Sequence, residues 1–538
     1  MSSSTSSPSA FAPLRHPAFR LLWLANLASN TGMWVQNTGA GWLMTSLAPS
    51  PMMVSLVQAA SMLPVFLLAL PSGALADIVD RRRYLIVAQA WMCAMGLLLC
   101  GLTAADMVGP WGLLALTFAI GAGSAMNFPA WAATTPELVP RSDLTQAIVL
   151  NGIGFNLSRA VGPALGGFII GLAGTEAAFA FNALCFLILI VALLLWRREA
   201  PRNRLPKEHF LSAMRAGVRF VGASPIMRII ILRAVIFFFF GAAMWGLLPL
   251  LVRGRLGLGP EAFGLMLAVM GVGAVGAGLL LPRARNRMSR SDLVALASLL
   301  ASAALILLGV AGHWAPAAVG MLLYGAAWIG AASTMQAAAQ LAAPSWVRAR
   351  AIGIYQLSFF GALAFGSALA GWAGTAIGVQ PALLAFGAAG AVAAVVMRRW
   401  SLDSRPAAEA AASLLPEPEA PAAELAPLLA LDRGRVLEML RYRIDPGDRA
   451  AFLAAMADLR RVRLRSGALV WRLYEDIAHP ELWVEMWAVE SWTGHLRELD
   501  RLQPADHAAI ARAAALHRGA DGHAATGPEA TRYINQSP

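Results

Sequence analysis

Twelve runs of mainly apolar residues lie between residues 18 and 399, and each is long enough to cross a bilayer as a helix, which takes about 20 residues. They fall near 18–45, 51–76, 84–104, 111–131, 144–171 and 176–196, and after a charged stretch near 229–252, 262–282, 291–311, 316–340, 349–374 and 379–399. No other feature limits the fold as strongly. Backbone groups in lipid must be satisfied inside their own segment, so each run is expected to be helical, and the prolines and glycines inside it are tolerated. Composition agrees: 58% of the 538 residues are hydrophobic and 13% are charged. A soluble chain carries about 25% charge, so a single water-soluble globule is excluded. Disorder over most of the length is excluded as well, because disordered chains are polar and highly charged.

The loops give an orientation. Arg15, Arg20, Arg81 to Arg83, Arg141, the cluster from Arg197 to Arg228, Arg283 to Arg290, Arg348, Arg350, Arg398 and Arg399 fall on one side. The other side has only Arg253 and Arg255. Basic loops stay in the cytoplasm, so both termini and the central loop are expected there, in a multi-pass protein of the cell (inner) membrane. The net charge of +12 would by itself suggest nucleic acid. Most of the excess instead sits between apolar spans, where it meets anionic lipid, so no nucleic-acid partner is expected.

Rare residues exclude other classes. The single lysine, Lys207, follows Pro206 rather than a glycine, so no phosphate-binding loop of the GxxxxGK[ST] type is present. Cys93, Cys100 and Cys185 lie in apolar runs without a CxxC, which suits small buried packing residues rather than a disulfide or zinc framework. No histidine lies deep in a span, so paired-histidine haem ligation is excluded. No cofactor and no metal are expected. The Ser-rich, then basic start reads as a disordered stretch, not a cleavable signal.

The two sets of six runs resemble each other. At one constant offset Pro140 pairs with Pro344, Ala147 with Ala351, Phe155 with Phe359, Gly162 with Gly366, Leu165 with Leu369 and Gly167 with Gly371. Two parallel six-helix repeats place a substrate path at their interface and suit rocking-type alternating access.

After the second run the chain reads GALADIVDRRR. Gly73 permits close helix approach, and Asp77 ends a helix beside arginines whose pairs can lock one conformation; setting topology is the simpler role for the same arginines. The segment resembles the major facilitator pattern GxLaDrxGRR, with Gly73, Asp77, Arg81 and Arg82 matching and Asp80 replacing a glycine. The stretches WVQNTGAGWLMTSLAPSPMMVSLVQAASMLPVFLLALPSGALADIVDRRR and NFPAWAATTPELVPRSDLTQAIVLNGIGFNLSRAVGPALGG look like the drug:proton antiporter branch that includes the enterobactin exporter. Relatives of that branch are called transmembrane secretion effectors. The resemblance spans about residues 15–400. It implies a major facilitator fold, alternating access, proton as the coupling ion, and a gating role for Gly73, Asp77, Arg81 and Arg82. The SRAVGPALGG segment, with Gly162, Pro163, Gly166 and Gly167, partly matches an antiporter GP motif linked to export; helix packing through its GxxxG spacing competes with that role.

Polar groups inside spans mark the candidate site. Arg159 lies mid-span, where a charge costs roughly 2.5–3.5 kcal/mol and should face a cavity or a partner. At 100° per residue Asn151, Ser158, Arg159, Gly162 and Gly166 share a face. Asn26, Asn30 and Asn37 line up on the first span, with Gln36 off the stripe. Asn127, Gln336, Gln340, Tyr355 and Gln356 complete the expected substrate lining. Interhelical hydrogen bonding is the competing role for the asparagines. Trp34, Trp42, Trp131, Trp245 and Trp328 suit stacking on a flat substrate or anchoring at the interface. Up to residue 400 the acids Asp77, Asp80, Asp106, Glu137, Asp143, Glu176, Glu199, Glu208, Glu261 and Asp292 all sit at span ends or in loops. One buried cation without a buried acid disfavours a cationic drug and suits a neutral or anionic metabolite. Asp77 remains the best candidate to titrate.

The expected organisation is a disordered start over 1–14, six-helix bundles over 15–196 and 229–400 around a central loop at 197–228, a Pro/Ala/Glu-rich linker at 401–432, a small α+β domain at 433–520 and a flexible tail at 521–538. In the small domain VLEMLRYRI, ALVWRLYED and LWVEMWAVE read as strands. GDRAAFLAAMADLRRVRLR reads as a helix burying Phe452, Leu453, Met456 and Leu459. This βαββα order is half of a ferredoxin-like arrangement. VEMWAVESWTGHLREL resembles the antibiotic-biosynthesis-monooxygenase-type domain, commonly dimeric, and the resemblance implies dimerisation; Trp492, His495 and His507 are the residues that would line an aromatic pocket there. The expected function is a secondary, proton-coupled exporter of a small amphipathic or anionic, siderophore- or drug-like metabolite, with no catalytic residues. A transporter-like receptor and a membrane-tethered monooxygenase are the alternatives.

Overall fold

The computed structural model describes residues 11–140, 142–196, 210–344, 347–402, 422–425, 434–492, 495–496, 504–518 and 528–535. Two compact units emerge, one built from Met1–Pro206, Ile231–Ala338 and Tyr355–Ser401, the other from Lys207–Ile230, Ala339–Ile354 and Leu402–Pro538.

The first unit is helical. In order come α1 (Pro17–Leu47), α2 (Pro51–Ile78), α3 (Arg81–Ala104), α4 (Pro110–Leu138) and α5 (Leu144–Leu195), then, after α6 (Phe210–Ala223) of the second unit, α7 (Pro225–Leu250), α8 (Pro260–Arg285), α9 (Arg290–Val310), α10 (Trp314–Ala342), α11 (Arg348–Ile377) and α12 (Val379–Met397). Among the described residues, ten helices are long and apolar enough to cross a membrane. Helix α1 is not among them although it has 31 residues, because Asn26, Asn30 and Asn37 dilute its apolar character. The 52-residue α5 breaks at Gly174, where φ is 84°; only glycine takes that conformation without strain. Prolines open α1, α2, α4 and α8 at their first turns, where a missing N–H costs nothing. Asp80 caps α3 by accepting from Arg83 N at 3.0 Å, which explains an aspartate at this position.

The repeat is visible in the packing of α5 and α11. A Cβ at Gly162 would press on Trp34 and on Thr31 O of α1, while one at Gly366 would strike the Phe239 backbone of α7. Likewise Gly167 faces Pro260 and Gly264 of α8, and Gly371 faces Pro51 and Ser55 of α2. Corresponding glycines therefore seat corresponding helices.

The second unit holds a four-stranded antiparallel sheet in the order β2 (Val470–Glu475), β3 (Leu482–Val489), β1 (Val436–Arg443), β4 (Glu529–Ile534). Strand β4 lies inside the stretch expected to be a flexible tail; pairing with the β1 edge orders it. Helices α13 (Arg449–Ser466) and α14 (Pro504–Ala514) pack against each other. On α13 the buried face is Phe452, Met456, Leu459 and Val462. Leu453 was expected there but is 39% exposed, since it lies 100° off the stripe that starts at Phe452. The expected central loop contains α6, which packs on α13.

Candidate functional site

Between the α1–α5 helices, here the first half, and the α7–α12 helices, the second half, lies a cavity of about 800 Å³. Helices α1, α2, α4 and α5 line it from the first half, and α7, α8, α10 and α11 from the second. The repeat carries through to the lining: Asn151 and Tyr355, Gly152 and Gln356, Phe155 and Phe359, and Arg159 and Leu363 all border it as offset pairs.

Asn26, Asn30, Asn37, Asn127, Asn151, Arg159, Gln336, Tyr355 and Gln356 border this cavity. Gln340 does not. It lies one turn beyond Gln336 on α10, exposed and outside the cavity. Two of the amides also tie helices together: Asn127 Oδ1 accepts from Gln89 Nε2 of α3 at 3.0 Å, and Asn151 Nδ2 donates to Thr135 Oγ1 of α4 at 3.0 Å. Gln36, off the asparagine stripe, is 2% exposed and accepts from Asn182 Nδ2 at 3.2 Å. Ser158 is likewise buried, donating to Leu27 O of α1 at 3.1 Å.

Arg159 is the only charged side chain among the described lining residues. Its Cζ lies 5.9 Å from the Trp328 ring centroid, a cation–π distance. Among the described residues no carboxylate pairs with it. Arg233 of α7 shows the contrast. It is 3% exposed and donates to Ser291 O at 3.2 Å, Met397 O at 2.7 Å and Trp400 O at 2.6 Å. Arg233 is consumed in joining helix ends, whereas Arg159 is presented to a space.

Beside Arg159 stands an aromatic wall that includes Trp328. Trp245 lies 5.9 Å from both Trp34 and Trp328, and Trp328 meets Phe238 at 5.1 Å and Phe359 at 6.2 Å. Trp131 also lines the cavity, while Trp42 stacks on Phe263 at 5.9 Å and 25°. Sequence reasoning missed Gln58, Asn156 and the phenylalanines. Asn156 had a signal, lying three residues before Arg159 on one helix face. The phenylalanines had none, because nothing separates them from ordinary core.

The halves are joined at the end that carries the α1–α2 and α7–α8 connections. A Cβ at Gly167 would sit 2.6 Å from Pro260 O and 2.8 Å from Gly264 Cα; one at Gly264 would sit 2.6 Å from Pro163 O. So Gly167 and Pro163 meet α8, while Gly162 and Gly166 seat α1. Arg253 donates to Thr45 Oγ1 at 2.8 Å and to Ser46 Oγ, and lies over Trp42 at 5.5 Å. Ser367 Oγ donates to Ser55 O at 3.0 Å.

At the other end several described contacts lie within the first half. Arg81 donates to Glu137 Oε1 at 2.6 Å and to Ala133 O at 3.2 Å. Arg82 donates to Leu193 O at 2.7 Å and Leu194 O at 2.6 Å, and His16 meets Asp143 at 2.8 Å. Gly73 and Asp77 are on α2, with their side chains outside the described residues.

The small domain has a polar core. Glu485, fully buried, accepts from Tyr442 Oη at 3.0 Å, Arg463 Nε at 3.1 Å and Trp471 Nε1 at 2.9 Å. Burial and the adjacent carboxylate hold the Tyr442 phenol well above its usual range. His495 and Glu438 are 2.5 Å apart, and the Trp492 ring lies tilted against His495 at 4.9 Å. His507 lies on α14, partly exposed.

Comparison with known proteins fits this geometry. The bacterial Spinster homologue solved in an inward-facing, unoccupied conformation matches 73% of this chain and 96% of its own at a TM-score of 0.57 and 16% identity, which shows the fold. The staphyloferrin A transporter of Staphylococcus aureus is 23% identical over 52% of this chain and 70% of its own length. The enterobactin exporter of Escherichia coli O1:K1 / APEC is 25% identical over 60% of this chain and 76% of its own. The description "Transmembrane secretion effector" matches residues 8–531. The chain therefore belongs to the transmembrane secretion effector family, multi-pass membrane transporters of the major facilitator type.

Proposed function

We propose that this chain is a secondary exporter of a small amphipathic or anionic metabolite, working by alternating access between its two halves with proton as the coupling ion. The observation that carries the reading is Arg159, a cation without a carboxylate partner among the described residues, facing a cavity of about 800 Å³. Amides and an aromatic wall complete a surface for a flat, polar-edged molecule. Two relatives are named for siderophores, and the substrate class inferred here is of that kind, siderophore- or drug-like.

The topology proposed is twelve crossings, counting α1 and dividing α5 at Gly174. Both termini face the cytoplasm of the cell membrane, in line with the arginine-rich loops. On that orientation the joined end is external, and the conformation described is inward-open. Gly73, Asp77, Arg81 and Arg82 are read as cytoplasmic gate elements, supported by the Arg81–Glu137 contact. The appended domain is read as a ferredoxin-like accessory unit for regulation or dimerisation, which its sheet order supports.

Accumulation of the metabolite in everted vesicles, collapsed by a protonophore, is the expected result. The metabolite is first identified as whatever builds up in cells that lack the protein. No build-up and no flux would overturn the reading.

A further inference from the structure

Among the described residues, the cavity lining holds one cationic side chain and no carboxylate, histidine or lysine. Its described charged or titratable lining groups are Arg159 of α5 and Tyr355 of α11. Helices α1, α2, α4, α7, α8 and α10 contribute amides, hydroxyls, aromatic rings and aliphatic groups. Tyr324, beside Trp328, donates its hydroxyl to Gly241 O at 2.8 Å. Phenol and guanidinium groups ordinarily keep their protons at neutral pH. The acids that precede residue 400 lie at span ends and in loops, and among the described residues no carboxylate lines the cavity. A protein-borne proton needs an ionisable group on the path.

We propose that the charge this cavity moves is the substrate's own: an aromatic acid binds as its anion against Arg159 and leaves as an anion, with no side chain on the path taking a proton in exchange. This rests on the exporter reading above and moves its coupling proton from the protein to the cargo. The balance closes without a protein group. An acid that ionises inside, crosses as its anion and is reprotonated outside has moved one neutral acid outward and one proton inward, with one negative charge leaving. An inside-negative potential drives that step, sustaining about a 50-fold gradient per charge at 100 mV.

The site also orients the cargo. Arg159 has an aliphatic counterpart, Leu363, in the second half, so the acid group belongs on the α5 side. Trp328 and Trp245 lie beyond the guanidinium and offer ring faces to a flat skeleton.

The test uses the full chain in proteoliposomes and three probes, with protein-free liposomes subtracted. The probes are 1-anilinonaphthalene-8-sulfonate, a permanent anion; N-phenyl-1-naphthylamine, the same skeleton without charge; and ethidium, a flat cation. A potassium gradient with valinomycin sets the potential at equal pH, or a pH gradient is imposed with the potential clamped at zero. The sulfonate should accumulate on the positive side, up to about 50-fold at 100 mV, and should not respond to pH alone. The neutral and cationic probes should not accumulate. Arg159→Gln should abolish sulfonate flux, and Arg159→Lys should retain part of it, which separates lost charge from lost fold. Sulfonate accumulation driven by pH at zero potential would place the proton on the protein and overturn the inference while leaving an exporter. Ethidium moved and sulfonate not moved would overturn the substrate class alone. Undiminished sulfonate flux in Arg159→Gln would remove the anchor. No protein-dependent flux of any probe would count against the exporter reading itself.

Discussion

Replacing Gly264 by alanine should open the joined end of the transporter. The new Cβ would lie 2.6 Å from Pro163 O, 2.8 Å from Gly167 Cα and 3.1 Å from Gly167 N. All three are backbone atoms, so no rotamer change relieves the overlap, and α5 and α8 must separate. Overpacking of this kind costs about 1–3 kcal/mol. The cost falls on the conformation in which α5 and α8 touch, and vanishes where they part. Taking about 2 kcal/mol, the balance between the two conformations shifts by about 30-fold. The same change at Gly276, further along α8, meets nothing within 4 Å and serves as the control. With Cys93, Cys100 and Cys185 replaced and Gln58→Cys as reporter in the cavity, labelling by an impermeant maleimide from outside intact cells reads the open population. Its rate should rise by about 30-fold in Gly264→Ala and stay unchanged in Gly276→Ala. Equal rates in the two variants, both inserted at normal levels, would show that the α5–α8 contact does not close the joined end, or that this end is not the external one.

Two predictions concern the small domain in the full-length chain. Glu485→Leu removes the shared acceptor of Tyr442, Arg463 and Trp471; breaking a buried ion pair costs about 3–5 kcal/mol, so hydrogen exchange over β1 and β3 should accelerate sharply, and unchanged protection would refute this account of the core. His517 accepts from Arg443 N through Nδ1 at 3.0 Å, and burial depresses its affinity for protons. The unfolded state therefore binds more protons than the folded one below about pH 6.5. Stability from this contact is present above that pH and is lost as pH falls below it. Intrinsic-rate-corrected exchange of the Arg443 amide should rise on acidification, and His517→Ala should abolish the dependence.

Most of the helical frame was legible because lipid imposes a length and apolarity that few other environments demand. Arg159 stood out for the same reason: a guanidinium in a span must have a use. The tertiary arrangement was less legible. Arg233 lies in a span too, yet it serves three carbonyls at helix ends, and only coordinates separate those two uses. Gln340 continued the polar pattern of α10 but lies past the end of the cavity, because a helical stripe has no mark for where a cavity stops. Strand β4 was missed because its order comes from β1, more than eighty residues earlier, and a short segment reveals little of a partner so distant. The Arg253 contacts with Thr45 and Ser46 were likewise invisible, since they bridge the two repeats.

The repeat separates movement from recognition. Glycines that seat helices occur in both halves at equivalent places, so the mechanical parts are symmetric. The charge is not: Arg159 is matched by Leu363, although both positions line the cavity. If position alone determines what the cavity can hold, the charge is transferable. Arg159→Leu should lose 1-anilinonaphthalene-8-sulfonate binding, and adding Leu363→Arg should recover it from the opposite wall. Recovery should be incomplete. At the repeat offset Trp328 corresponds to Ser124, so the moved guanidinium has no equivalent ring, and a cation–π contact is worth about 0.5–2 kcal/mol. Binding about 2- to 30-fold weaker than in the parent is therefore expected, followed by sulfonate fluorescence in detergent-solubilised, full-length protein. A double variant that binds no better than Arg159→Leu, with both proteins monodisperse, would show that the anion site depends on the local surroundings of Arg159 and not on a charge placed anywhere along the symmetric lining.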